Sequence, residues 1–156
     1  MPHPNLEMLE EIATRLHPLL QELVFVGGCV TGLLITDPGA APVRPTYDVD
    51  VIAEVASYAE YIELSGRLLN LGFVEDSSEG APLCRWRNAD LMLDVMAPDA
   101  ATLGFSNRWY ADALRHALSV ELPNKLTLRA INAPYFLGTK IEAFRGRGKK
   151  RLLQQP

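Results

Sequence analysis

Two aspartates, Asp48 and Asp50, share a short apolar stretch, and a third, Asp94, lies in another apolar stretch further along the chain. Alternation along a strand places Asp48 and Asp50 on one face, with Val49 and Val51 on the other. Buried carboxylates on one face repel each other and lose hydration unless a cation compensates them. The pattern predicts a carboxylate-held metal site. A solvated edge strand is the alternative explanation.

A Gly27-Gly28 pair follows the apolar segment 23–26 and precedes an apolar run with helical spacing. A strand, a tight turn and a helix in succession leave unpaired N–H groups at the helix N-terminus, where the helix dipole favours phosphate oxygens. Thr31 could add a hydroxyl to this turn, or it could cap or pack the helix. The alternative for the glycines is a tight turn that needs them for steric reasons.

These residue types together suit nucleotidyl transfer, in which a hydroxyl attacks the α-phosphorus of a nucleoside triphosphate. Two divalent ions about 3.5–4 Å apart can stabilise the attacking and leaving oxygens, and Mg²⁺ prefers carboxylate, phosphate and water oxygens. Three aspartates would bind the ions, and the glycine turn would hold the β- and γ-phosphates. A cation from a later element would offset charge on the departing pyrophosphate.

Hydrophobic spacing predicts the elements that position these residues. Predicted strands cover 23–26, 47–53, 83–87, 91–96, 118–122 and 126–131, with a further strand beginning at 73–74. Predicted helices cover 6–17, 30–35, 56–71, 109–114 and 134–144. The strands at 83–87 and 91–96 form a predicted hairpin around a turn at 88–90. Loops are predicted at 36–46, which is rich in proline, and at 98–107. This order predicts an α/β (α+β) fold with a mixed, mainly antiparallel sheet and helices packed chiefly on one side.

The last predicted helix begins at Pro134, a permitted first position, and is broken at Gly146-Arg147-Gly148. Lys140 and Arg145 are expected at its margin, and four apolar residues are expected to face the core: Phe136, Leu137, Ile141 and Phe144. Basic residues crowd the end of the chain, which is either a solvated tail or a contact to an RNA backbone.

The composition is ordinary for a globular protein, with 48% hydrophobic residues, 22% charged residues and a net charge of −4. A net negative charge argues against a general polyanion binder. No apolar run approaches the ~20 residues that a membrane span requires, and the N-terminus lacks the pattern of a signal peptide. Cys29 and Cys84 are too few for a disulfide framework. We therefore expect a cytoplasmic protein without a membrane partner.

Other residues with chemical potential have structural explanations. The three histidines (His3, His17 and His116) lack the paired spacing of a zinc site. Cys29 is either a thiolate at a helix start or a small packing residue. Three aromatic residues could stack a base, but core packing explains them better: Trp86, Trp109 and Tyr110.

Three segments in this order resemble the DNA-polymerase-beta-like nucleotidyltransferase superfamily, and AbiEii-type nucleotidyltransferase toxins are its most similar branch: Val26-Gly27-Gly28, Asp48-Val49-Asp50-Val51 and Leu93-Asp94-Val95. By this resemblance Asp48 and Asp50 ligate both metals, while Asp94 binds the catalytic ion and helps activate the acceptor hydroxyl. Residues 136–145 look like the helix whose lysine contacts nucleotide phosphates in that branch. The predicted nucleotide-binding residues are therefore Gly27, Gly28, Thr31 and Lys140.

The resemblance implies a cytoplasmic enzyme that moves NMP from an NTP to a hydroxyl of a protein or of RNA, such as tRNA. It implies two Mg²⁺ ions, with Mn²⁺ as the alternative ion, and a toxin–antitoxin setting with a cognate antitoxin or toxin protein as partner. The resemblance covers about residues 23–146, and the predicted helix break at 146–148 bounds a nucleotidyltransferase-like domain at 1–148, with a disordered tail at 149–156. One alternative is a catalytically inactive nucleotide-binding or partner-binding module that keeps this core. Another is a structural protein in which the acids are ordinary strand-end residues.

Overall fold

The computed structural model describes residues 3–34, 39, 44–104 and 106–153, and for 147–153 it describes the backbone alone. Within these residues the strands are β1 (Leu23–Val26), β2 (Asp48–Ala53), β3 (Val74–Glu75), β4 (Arg85–Asn88), β5 (Leu91–Met96), β6 (Leu118–Glu121) and β7 (Thr127–Ala130). The helices are α1 (Pro4–Arg15), α2 (Thr31–Leu34), α3 (Tyr58–Asn70), α4 (Ala100–Leu103), α5 (Tyr110–Arg115) and α6 (Ala133–Leu153). Two 3₁₀ turns, His17–Glu22 and Gly28–Val30, flank β1.

The described strands form one sheet in the order β3-β4-β5-β2-β1-β7-β6. The β2–β5 and β1–β7 pairs are parallel. The other four pairs are antiparallel. The predicted fold class, a mixed and mainly antiparallel sheet with helices, is confirmed.

The centre of the sheet is the antiparallel pair of β1 and β2. All four residues of β1 are buried, as a short continuous apolar run predicts. Along β2 the burial alternates at first, so that Asp48 and Asp50 are half-buried while Val49 and Val51 are fully buried. Val26 pairs with Asp50 across the two strands. This register brings the glycines after β1 next to the aspartates of β2.

Helix α3 follows β2 in the chain and lies within its predicted span of 56–71. It packs on the sheet at β5, where the Tyr61 hydroxyl donates to the Val95 carbonyl. Ser57 caps it by accepting a hydrogen bond from the Glu60 N–H, and Gly72 follows it with a φ of 90°. The predicted loop at 98–107 contains the short helix α4, which the Asp99 side chain caps. The predicted proline-rich loop at 36–46 lies largely outside the described residues.

Helix α6 differs from its prediction in length and in orientation. It continues through Gly146 and Gly148 to Leu153, so the predicted break there is wrong. The helix includes 149–153 of the predicted tail, residues 154–156 lie outside the described residues, and the domain boundary at 148 stays a prediction. No described helix, α6 included, combines the length and apolarity needed to cross a bilayer.

The face of α6 expected in the core is mostly outward. Phe136 packs against the core, but three of the four apolar residues are exposed: Leu137, Ile141 and Phe144. The reason is that Gly138 and Thr139 contact the segment before α5. Helical geometry then turns residues 137, 141 and 144 to the opposite side.

Candidate active site

The three predicted aspartates meet at the middle of the sheet. β2 and β5 are parallel neighbours, and their register pairs Asp50 directly with Asp94. Because side chains alternate along a strand, Asp48 lies on the same face two residues earlier. One carboxylate oxygen from each of the three residues lies within 4.8 Å of the others. The structure therefore brings these acids together, and their catalytic role stays a prediction.

This cluster concentrates negative charge in a partly buried place. Asp94 is 7% exposed, and Asp48 and Asp50 are half-buried. Burial, followed by the charges of Asp48 and Asp94, raises the pKa of Asp50 to about 8. Burial and then a hydrogen bond with Asp94 raise the pKa of Asp48. Crowded carboxylates of this kind are a suitable set of oxygen ligands for Mg²⁺ or Mn²⁺, because a bound cation would relieve their repulsion.

Arg85 compensates part of this charge. The sequence pattern did not predict that this residue lies at the cluster. Its guanidinium donates to both oxygens of Asp94, from Nε at 2.9 Å and from Nη2 at 3.0 Å. Nη2 also lies 3.5 Å from Oδ2 of Asp48. The hydrogen bond to Asp94 is the main reason that the pKa of Arg85 is raised. The arginine thus holds one edge of the cluster, and Asp50 lies at the other edge.

The register of the hairpin explains why Arg85 was missed. A turn at 88–90 would pair residue 85 with residue 93 and send Arg85 to the face opposite Asp94. The observed turn has two residues, Ala89 and Asp90, so that Asn88 pairs with Leu91 and Arg85 with Asp94. A shift of one residue moves every side chain of a strand to the other face. The positive φ of Ala89, 52°, marks this tighter turn.

Gly27 lies directly beside the cluster. Its φ of 75° is in the region that favours glycine, and a Cβ at this position would overlap the Asp50 carboxylate. At Gly28 a Cβ would lie 2.7 Å from Cγ2 of Thr46. Gly27 is therefore required sterically, which is the alternative considered for this pair, whereas at Gly28 a Cβ would meet only the end of the Thr46 side chain. At Gly27 the same close approach places backbone at the edge of the carboxylates.

A cleft of about 300 Å³ opens beside Asp50. Its lining combines residues from the sheet, from the segment before α5 and from α6: Val26, Gly27, Asp50, Cys84, Met96, Asn107, Tyr110, Thr139, Lys140 and Ala143. Lys140 lies close enough for its charge to lower the pKa of Asp50, the smallest of the effects on that group. Gly28 and Thr31 are not part of this lining as far as the described residues show it. The cleft thus joins two predicted nucleotide-binding residues, Gly27 and Lys140, to Asp50.

Tyr110 and Asn107 line the cleft without having been predicted there. Asn107 is the last residue of the predicted loop at 98–107, and Tyr110 was considered as a core or stacking residue. Burial and then the charge of Asp50 raise the pKa of Tyr110 to about 12, so its phenol stays protonated at neutral pH. Trp86 is fully buried, which agrees with core packing. No local pattern marks the first two as cleft residues, because the sheet and α6 meet there only in the folded chain.

Both cysteines are buried, and Cys84 also lines the cleft. Burial raises the pKa of Cys29 and of Cys84 to about 12, so each thiol keeps its proton at neutral pH. The Cys29 Sγ–H donates to the Val26 carbonyl at 3.4 Å. The explanation of Cys29 as a thiolate at a helix start is therefore wrong.

A comparison with solved structures finds the same fold in the crystal structure of an antigenic nucleotidyltransferase-like protein from Paracoccidioides brasiliensis. The TM-score is 0.55 at 20% sequence identity, over 85% of this chain and 62% of the other. This chain thus spans about three fifths of the length of that protein. No family model and no curated protein matches the sequence. The likeness shows a nucleotidyltransferase-like fold.

Proposed function

We propose that this protein is a Mg²⁺-dependent nucleotidyltransferase that moves NMP from an NTP to a hydroxyl. One observation carries the proposal: three aspartates from two parallel strands converge within 4.8 Å, beside a cleft that also holds Gly27 and Lys140. The nucleotidyltransferase-like fold supports it. Perturbed carboxylates gathered at a cleft are typical of catalytic sites.

The residues have distinct roles in this proposal. Asp48, Asp50 and Asp94 would hold two Mg²⁺ ions, with Mn²⁺ as the alternative ion, and bound ions would supply charge stabilisation for the attacking and leaving oxygens. Lys140 binds the phosphates of the NTP as a point charge. Gly27 allows the backbone to approach the carboxylates without a side chain in the way.

Asp94 orients the acceptor hydroxyl. Arg85 binds both of its oxygens, so the carboxylate plane is fixed before substrate arrives. A carboxylate held in a fixed orientation lowers the entropy cost of placing the attacking hydroxyl in line with the phosphorus. The acceptor we propose is a protein or an RNA such as tRNA, and the setting is a toxin–antitoxin pair with a cognate protein partner. Both follow from the sequence resemblance.

The direct test is transfer of radiolabel from α-labelled NTPs to pools of protein and tRNA. Asp48→Asn and Asp50→Asn should each abolish labelling, because an amide is a poor ligand for Mg²⁺ and the cluster loses one of its three negative charges. Asp90→Asn is the matched control, since Asp90 lies in the hairpin turn after β4, and it should label as the wild type does. Wild-type turnover in either cluster variant would refute the proposal.

A second candidate is a nucleotide-binding or partner-binding module without transfer. The contact of Arg85 with Asp94 and Asp48 favours it, because a guanidinium bound to both acids competes with a divalent ion for the same oxygens. Calorimetry with NTP and Mg²⁺, run beside the transfer assay, separates the candidates. Binding of NTP with no labelled product in either pool would favour the module.

A further inference from the structure

We infer that Asn107 is a positioning residue for nucleotide binding: its side chain fixes α6 at Thr139 and thereby sets the place of Lys140 in the cleft. The inference rests on the proposed function, because it assigns a role within the same site. It adds a residue that lies on neither the sheet nor α6. Its basis is a pair of contacts between the segment before α5 and two consecutive residues of α6.

The first contact is made by the Asn107 side chain, which is 8% exposed. Its Nδ2 donates to the backbone carbonyl of Thr139 at 3.0 Å, and its Oδ1 accepts from the backbone N–H of Trp109 at 3.1 Å. The Asn107 carbonyl accepts from the N–H of Tyr110 at 3.0 Å. One residue therefore ties the beginning of α5 to a point 32 residues away in the chain.

The second contact is between Trp109 and Gly138, and it is independent of the amide. A Cβ at Gly138 would lie 3.1 Å from Cδ1 and Cγ of the indole. The ring thus lies directly on the backbone of α6, at a distance that only glycine accommodates without a shift. Gly138 and Thr139 are adjacent, so both contacts hold the helix at one place.

Lys140 is the next residue of the helix, and its long side chain is exposed. Its Nζ lies 5.7 Å from the centre of the Phe136 ring. The same cleft is lined by Asn107, Thr139, Lys140 and Asp50. A movement of α6 would therefore change the distance between the ammonium group and the carboxylates. An ammonium group moved away from the phosphates loses a charge-assisted hydrogen bond, so nucleotide binding weakens.

A purely structural role for Asn107 is the competing explanation, because buried amides generally need partners. The two roles differ in one respect. A residue that acts through Lys140 loses its effect on nucleotide affinity when Lys140 is already absent. If Asn107 only stabilises the fold, its replacement has the same effect on nucleotide affinity whether Lys140 is present or absent. A double-mutant cycle measures this difference.

The experiment compares wild type, Asn107→Ala, Lys140→Ala and the double variant by fluorescence titration with a methylanthraniloyl-labelled ATP and Mg²⁺. We expect Asn107→Ala and Lys140→Ala each to weaken binding about tenfold, and the double variant to bind as Lys140→Ala does. Asn88→Ala is the control, because Asn88 also makes long-range amide contacts, to Arg15 and the Leu71 carbonyl, outside the cleft. It should bind as the wild type does.

Gly138→Ala tests the same contact should Asn107→Ala fail to fold. The added methyl group pushes the indole and α6 apart, so binding should weaken in the wild type and stay unchanged in the Lys140→Ala background. Unchanged affinity in the single variants, or additive losses in the double variant, would overturn the inference and leave the proposed function standing. A wild-type protein that binds no labelled nucleotide would defeat both.

Discussion

Arg85 and Asp94 lie directly opposite each other on the antiparallel strands β4 and β5, and the guanidinium binds both carboxylate oxygens. A third contact, at 3.5 Å, joins the same guanidinium to Asp48. The three carboxylates thus differ in how much of their charge a protein cation already compensates. Asp94 already has a cationic partner inside the protein, whereas burial and the charges of Asp48 and Asp94 raise the pKa of Asp50.

Replacing Arg85 by Ala should lower the free energy of unfolding of the metal-free protein by about 1–3 kcal/mol, because the charged hydrogen bonds to Asp94 are lost. Mn²⁺ should then raise the melting temperature of the variant more than that of the wild type, since the carboxylates have no other cation. Thermal denaturation with and without Mn²⁺ measures both effects. Arg87→Ala is the control, because Arg87 on the same strand pairs with Asp76. An equal response to Mn²⁺ in wild type and Arg85→Ala would contradict this account.

Asp50→Asn should make the metal-free protein more stable at neutral and alkaline pH. The pKa of Asp50 is about 8 in the folded chain and has its ordinary value of 3.8 in the unfolded chain. Between these values the folded state binds more protons than the unfolded state, so stability falls as the pH rises through the window. The amide does not titrate, so the variant keeps the free energy of unfolding that the wild type loses. Each kcal/mol kept should raise the melting temperature by about 2–4 °C.

The measurement for Asp50→Asn is the melting temperature as a function of pH in the presence of a chelator. The wild-type curve should fall between about pH 4 and pH 8, and the variant curve should fall less steeply over the same range. Asp90→Asn, in the hairpin turn, should follow the wild type. A variant that melts below the wild type at pH 8 would show that the carboxylate stabilises the fold.

Gly27→Ala should destabilise the protein by about 1–3 kcal/mol, because alanine is strained at a positive φ. Its Cβ would also overlap the Asp50 carboxylate, so Mn²⁺ affinity should fall as well. Gly66→Ala is the matched control within α3, where an added Cβ meets nothing within 4 Å. It should stabilise the protein by about 1 kcal/mol, since alanine favours a helix interior. Urea denaturation compares the two, and equal effects would argue against a special role for Gly27.

Phe144→Ala should change the free energy of unfolding by less than about 0.5 kcal/mol, as is usual for surface substitutions. The side chain is 73% exposed, although the sequence predicts it in the core. Phe25→Ala, in the fully buried strand β1, should cost about 3–5 kcal/mol. Urea denaturation of both variants gives the comparison. A large loss at Phe144 would show that α6 packs with the face that the sequence pattern favours.

Local patterns predicted the parts of this protein that depend on neighbours in the chain. The strand at Leu23–Val26 is observed as predicted, because a short continuous apolar run ended by glycines is typical of a buried strand. The placement of Asp48 and Asp50 on one face follows from the period of a strand. The mixed, mainly antiparallel sheet follows from the order of strands and helices.

Contacts between distant segments decided the rest. The parallel register of β2 and β5 pairs Asp50 with Asp94, and a turn one residue shorter than predicted brings Arg85 to the same face. Apolar spacing in α6 could not show which side packs, because Gly138 and Thr139 are held by Trp109 and Asn107 from another segment. The sequence by itself thus determined which acids exist and which face they share. The tertiary structure decided what stands opposite them, because register and helix packing are set by non-local contacts.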